Sequence, residues 1–222
     1  RLLPHLDASL AQQPPTLLIG YSDITALHLA LYARCGWTGL SGPVVTEWAV
    51  ADAPTLQSCR DWAQGRTPPI DEGLRPLAAG TATGPLLVGT LSVLTRLVGT
   101  PFAPSFEDAV LVLEEVQEAP YRVDRMLAHL SLAGVLEKIG GVVLGEFTTG
   151  ELDADKPTLS LSEVFADYFE PLGIPVATDL MYGHMLPRYT LPLGVPTRLE
   201  VTQEQARLVP QSPAVQRQPP DA

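Results

Sequence analysis

Three side-chain types in this chain could together perform acyl transfer: a serine at a strand-to-helix turn, a histidine in a loop, and an acidic pair ending an apolar run. Ser22 lies within Thr16-Leu17-Leu18-Ile19-Gly20-Tyr21-Ser22-Asp23-Ile24-Thr25-Ala26-Leu27-His28. The apolar run ending in Gly20 reads as a parallel strand, and Ile24, Leu27 and Leu31, at three- and four-residue steps, read as a helix that Gly36 can close. A serine at such a junction has its hydroxyl lifted clear of the sheet beside the free N–H groups that open the helix, the geometry of a nucleophile elbow. The same residues permit a simpler role. Ser22 or Asp23 can cap the helix, and Ile24 stands where the G-x-S-x-G pattern has its second glycine.

A serine hydroxyl needs a base, and the base needs an acceptor that holds its tautomer. His184 sits in Tyr182-Gly183-His184-Met185-Leu186-Pro187, between strands expected at Pro175 to Thr178 and Tyr189 to Leu193, and strand-held loops are where functional side chains concentrate. His28, inside the helix after Ser22, is read as a rim residue. His129, on a helix expected from Tyr121 to about Leu132, is read as packed or at the solvent edge. The acceptor would come from Glu114 or Glu115 at the end of a strand over 109–116, and neighbours on a strand face opposite ways, so one of the two at most can serve.

Four stretches in order, Gly20-Tyr21-Ser22-Asp23, Leu113-Glu114-Glu115-Val116, Ala119-Pro120-Tyr121-Arg122-Val123-Asp124-Arg125-Met126-Leu127 and Gly183-His184-Met185-Leu186-Pro187-Arg188-Tyr189-Thr190-Leu191-Pro192-Leu193-Gly194, resemble the LD-carboxypeptidase family of serine peptidases. The resemblance runs from Arg1 to about Gly194. It implies Ser22 as nucleophile, His184 as general base and then acid, Glu114 as the orienting carboxylate, and the Asp23 N–H as an oxyanion donor. Relatives draw a second donor from a glycine-rich motif that would precede Arg1, so the chain is expected to be a fragment lacking one side of its first sheet. Val88-Gly89-Thr90-Leu91-Ser92 departs from the relatives' Gly-Gly-Asn-Leu-Ser, since Thr90 has no amide. Arg188, stiffened by Pro187 and four residues beyond His184, is the candidate to receive a substrate's terminal carboxylate or, alternatively, to pair with a structural one.

The elements that must position these residues read as α/β, with an N-terminal parallel-sheet, Rossmann-like domain, truncated at its N-terminus, and a second α/β domain. At 222 residues and 45% hydrophobic the chain can bury a substantial core. Leu2 to Leu10 can be helical, Ala53 to Ala63 reads as a helix capped from Asp52 or closed at Gly65, Gly141 to Phe147 is a strand, and Ser160-Leu161-Ser162-Glu163 is a capping box opening a helix to about Phe169. The Gly and Pro density of 64–85 reads as a linker between a nucleophile domain over 1–63 and a domain over 86–210 carrying Glu114 and His184. A proline-containing tail over 211–222 reads as disordered.

A net charge of −11 argues against nucleic acid and anionic membranes as partners. Cys35 and Cys59 have neither disulfide-framework nor zinc-site spacing, so no metal or other cofactor is expected, and no membrane anchor or signal peptide is read. The resemblance implies a cytoplasmic homodimer that removes the terminal D-alanine from murein tetrapeptides. The alternative within the family is a self-immunity peptidase acting on microcin C-type nucleotides. Those relatives stack a purine on an aromatic residue of the interdomain segment, whereas this chain has none between Trp62 and Phe102. A non-catalytic peptide-binding protein is the alternative of another class, opposed by the intact Ser22, Glu114 and His184.

Overall fold

The computed structural model describes residues 1–150 and 157–215. Its centre is four parallel strands: β3 (Gly80–Thr90), β4 (Val110–Glu115), β5 (Gly141–Phe147) and β6 (Val176–Thr178), after β1 (Gly39–Ser41) and β2 (Arg75–Ala78). With β7 (Leu191–Leu193), β8 (Pro196–Val201) and β9 (Ala206–Pro210) the strands form a seven-stranded mixed sheet of order β2-β6-β5-β4-β3-β8-β9 and a small antiparallel pair, β1-β7. Leu86 to Val88, Val110 to Leu113 and Val142 to Leu144 are all buried, the unbroken apolar runs expected of parallel strands covered on both faces. Helices α1 (Thr25–Cys35), α2 (Ala53–Ala63), α3 (Leu91–Thr95), α4 (Pro120–Leu132) and α5 (Leu161–Phe169) complete the α/β architecture, with α4 packed against α3 and α5. No helix of the described residues is long and apolar enough to cross a membrane.

Local signals placed most of these elements. Asp52 accepts from Thr55 N–H at 2.9 Å to open α2, Ser160 and Glu163 close a capping box on α5, and Gly36, at φ 67°, ends α1. Three expectations change. Leu2 to Leu10 forms two short 3₁₀ turns, Leu3–His5 and Ala8–Gln12, because Asp7 turns back to accept from Ser9 N–H at 2.8 Å and starts a new turn there. The stretch 64–85, expected as a linker, holds β2 and the first half of β3. Pro76 is tolerated because β2 is an edge strand, and Gly80 to Pro85 pairs antiparallel with β8. Of the expected tail, 216–222 lie outside the described residues, while Ala214 packs on the core and its carbonyl accepts from Thr38 Oγ1 at 3.2 Å.

The N-terminal sheet is also slighter than the Rossmann-like domain expected. Leu18 to Gly20 runs parallel to β1 with a single bridge, Ile19 to Leu40, and Leu17 is exposed. His28, expected at the rim, is buried at 2% exposure beneath this segment and donates from Nε2 to Gly20 O at 3.1 Å. A Cβ on Gly39 would stand 2.4 Å from its Nδ1, so glycine there is what admits the ring.

Burial holds His28 neutral, with its pKa pushed down from 6.5 to about 4. The unfolded chain therefore binds the extra proton first as pH falls. This contribution is whole above the ordinary value and is lost as pH drops through the window between the two, by about 3 kcal/mol in total. Urea unfolding at pH 7.5 and 4.5 should show a clearly smaller acid loss for His28→Gln than for the wild type, and parallel losses would refute the assignment.

Candidate active site

Two backbone features present Ser22. Gly20 N–H bonds to Leu40 O at 3.1 Å, fixing the segment on β1, and Ser22 itself adopts φ 58°, the left-handed region that a non-glycine residue enters at a cost. A 3₁₀ turn over Ser22–Ile24 then leads into α1. The Asp23 N–H follows Ser22 directly in that turn. The turn is docked on the end of β3: Thr25 Oγ1 accepts from Thr90 N–H at 3.2 Å, and a Cβ on Gly89 would lie 2.4 Å from the Thr25 methyl.

Register supplies the acid. Thr90 and Glu114 are paired at the C-terminal ends of parallel β3 and β4, so they share a face, and the Thr90 hydroxyl donates to Glu114 Oε1. Glu114 is 1% exposed. Its Oε2 accepts from His184 Nδ1–H at 2.9 Å, which leaves Nε2 as an acceptor, and Ser22 Oγ lies 3.2 Å from that Nε2. The Glu114 bond raises the His184 pKa above 6.5, against the downward pull of partial burial. The structure thus brings Ser22, His184 and Glu114 into one hydrogen-bonded line, across 162 residues of sequence from Ser22 to His184.

Glu115 points away. Its carboxylate accepts from Ser92 N–H at 2.6 Å and Val116 N–H at 3.0 Å, closing the first turn of α3, and burial raises its pKa. Glu118 pairs with Arg122 at 3.1 Å. His129 lines a surface groove of 490 Å³ with Arg96, Arg122 and Arg125, apart from Ser22. Of the two roles open to Arg188, the structure shows the pairing with a carboxylate of the protein: its side chain is 3% exposed and donates to Glu47 Oε2 at 2.7 Å and Gly183 O at 3.3 Å. Sequence reasoning missed Glu47 and the part played by Thr90. The only available signal for Thr90 was its departure from asparagine in the Val88 to Ser92 stretch.

The family described as the LD-carboxypeptidase N-terminal domain matches residues 1–42, and the LD-carboxypeptidase C-terminal domain matches 83–199. The murein tetrapeptide carboxypeptidase of Pseudomonas aeruginosa is 31% identical over 214 residues, covering 90% of this chain and 68% of that protein. The crystal structure of a muramoyltetrapeptide carboxypeptidase from Oxalobacter formigenes superposes with a TM-score of 0.82 at 29% identity, covering 95% of this chain and 74% of the other. A microcin C7 self-immunity protein shares the fold, with a TM-score of 0.80 at 24% identity over 95% of this chain and 72% of the other. The chain spans 61% and 66% of the lengths of the curated relatives from Synechocystis sp. and Bacillus subtilis, which are 37% and 32% identical to it.

Thr90→Val keeps the shape of the side chain and removes the donor to Glu114. Leaving one oxygen of a buried carboxylate unpaired should cost about 1–3 kcal/mol in urea unfolding at neutral pH. Unchanged stability would mean that the hydroxyl does not serve Glu114.

Proposed function

Since this chain belongs to the LD-carboxypeptidase family of serine peptidases, we propose that it hydrolyses the L,D peptide bond that releases terminal D-alanine from murein tetrapeptide. The observation that carries the reading is the line from Ser22 Oγ to His184 Nε2 at 3.2 Å and from His184 Nδ1 to Glu114 at 2.9 Å, with Ser22 held at φ 58°. On this reading the turn at Ser22 is a nucleophile elbow. His184 takes the hydroxyl proton as Ser22 attacks the scissile carbonyl, Glu114 stabilises the imidazolium, and His184 returns the proton to the leaving D-alanine amine. Water then attacks the acyl-enzyme with His184 again as base. The Asp23 N–H, next to Ser22 in the turn, is one donor to the oxyanion.

The two-domain division, with Ser22 on one unit and Glu114 and His184 on the other, belongs to the same proposal, as do a cytoplasmic location and a homodimer. So does murein peptide as the partner, without nucleic acid, membrane or metal. The microcin C-type reading stands second, because the stretch between Trp62 and Phe102 offers no aromatic side chain to stack a purine.

Ser22→Ala and His184→Ala should each slow D-alanine release from murein tetrapeptide by roughly a thousandfold or more, and the double variant should lose little beyond either, because the members act as a unit. The wild-type rate should rise with pH through the His184 pKa, which lies above 6.5. Turnover retained in Ser22→Ala would remove the nucleophile assignment, and failure to release D-alanine beside efficient cleavage of a peptidyl nucleotide would move the second reading to first.

A further inference from the structure

Three segments, two of them already joined by the Ser22–His184 bond, meet at one ion pair in which Arg188 is buried and Glu47 is partly buried. Tyr21 O–H, from the residue preceding Ser22, donates to Glu47 Oε1 at 2.7 Å. Arg188, from the loop that carries His184, donates to Glu47 Oε2 at 2.7 Å, and its guanidinium carbon lies 4.1 Å from the centre of the Tyr21 ring. The opposite connection is made by aromatic contact: the Tyr21 and His184 rings are 5.0 Å apart, tilted by 55°. Val44 N–H donates to Glu47 Oε2 at 3.1 Å and Thr55 Oγ1 accepts from Arg188 N–H at 2.9 Å, so each charged residue is anchored to its own backbone surroundings.

We propose that Glu47 and Arg188 are positioning residues that clamp Tyr21 between them and thereby hold the Ser22 turn and the His184 loop at hydrogen-bonding separation. This rests on the hydrolytic reading of Ser22 and His184. The geometry argues for a clamp rather than a stray ion pair. Arg188 Nε is buried without a partner among the described residues, so the guanidinium sits where the Tyr21 face and Glu47 require it and not where all its donors are met. Burial alone would raise the Glu47 carboxyl, yet the bonds from Arg188 and Tyr21 bring it below 4.5, which keeps the pair ionised at neutral pH. Such a pair is weak evidence of net stabilisation, but removing Glu47 strands the buried Arg188 charge, so Arg188 is committed to Glu47 and to the geometry the pair enforces.

The clamp also sets a field. His184 faces Glu114 on β4, Glu146 on β5, Arg188 on its own loop, and Tyr21 and Ser22 on the opposing turn. Glu114 and Glu146 favour the imidazolium and Arg188 disfavours it. Neutralising Arg188 should therefore raise the His184 pKa, whereas neutralising Glu47 leaves the Arg188 charge unbalanced and should lower it.

The test is a set of four variants of the protein, Glu47→Gln, Arg188→Met, their double, and Tyr21→Phe, with the His184 pKa read from its imidazole NMR resonance and turnover read on murein tetrapeptide. We expect opposite pKa shifts in the two single variants and a return toward wild type in the double. Both singles and the double should lose kcat by about ten- to a hundredfold with KM changed by less than about threefold, the scale of a small misplacement of reacting atoms. Tyr21→Phe, which keeps the stacked ring and loses one hydroxyl bond, should lose kcat by about threefold or more at an unaltered thermal midpoint. Recovery of wild-type turnover in the double variant would overturn the clamp, since the pair would then act through charge alone. Wild-type kcat in Tyr21→Phe would overturn it as well, even where the charged variants fold poorly. If the wild type releases no D-alanine, the hydrolytic reading fails separately, and unshifted His184 titrations in both single variants would overturn the clamp on their own.

Discussion

A carboxylate that is 1% exposed, as Glu114 is, has been taken out of water and must be given hydrogen-bond partners by the fold. The structure gives it two. Thr90 reaches one oxygen because parallel register sets the two residues side by side, and His184 reaches the other because its loop returns over the ends of β4 and β5. A Cβ on Gly183 would lie 3.3 Å from Glu114 Oε2 and 3.1 Å from the Glu146 Cβ, so a residue without a side chain is what lets the loop come this close. The orientation of His184, and with it the acceptor offered to Ser22, follows from the need to satisfy one buried charge.

The Ser22 side depends on contacts of a different kind. Its turn is held from below by His28, whose Nε2 pins the Gly20 carbonyl, and from the side by Thr25 seated against Gly89. His28 is close-packed on Gly39 and Thr25 on Gly89, and an added methyl group at either glycine would collide with the side chain there. A short segment joined to β1 by a single bridge is thus held where the longer ladders of the main sheet do not reach it.

The residues read most reliably from sequence were those whose signals are local or come as ordered motifs. The capping box at Ser160, the cap at Asp52, the apolar run of β5 and the ordered stretches around Ser22, Glu114 and His184 needed no knowledge of what lay opposite. What escaped was set by distant partners. Which of its two roles Arg188 fills depends on Glu47, 141 residues earlier. Glu115 and Glu114 could be told to face opposite ways, but that Glu115 would cap α3 through Ser92, 23 residues earlier, required the fold. The prolines and glycines of 64–85 look alike in a linker and in a strand, and only the pairing of Pro76 with Ala177 on edge strand β2 and of Pro85 with Pro196 on inner strand β3 separates the two.

Strand β3 belongs to two ladders at once, parallel to β4 over Leu86 to Thr90 and antiparallel to β8 over Gly80 to Pro85. Translation meets these partners at different times. The first ladder can close once residue 114 has left the ribosome, whereas the second waits for residue 201. His184 follows Ser22 by 162 residues, a delay of about 8 to 32 s at ordinary rates of synthesis. Throughout that interval the nascent serine lacks the His184 imidazole, so the hydroxyl gains this hydrogen-bonded partner only when the loop after β6 is made.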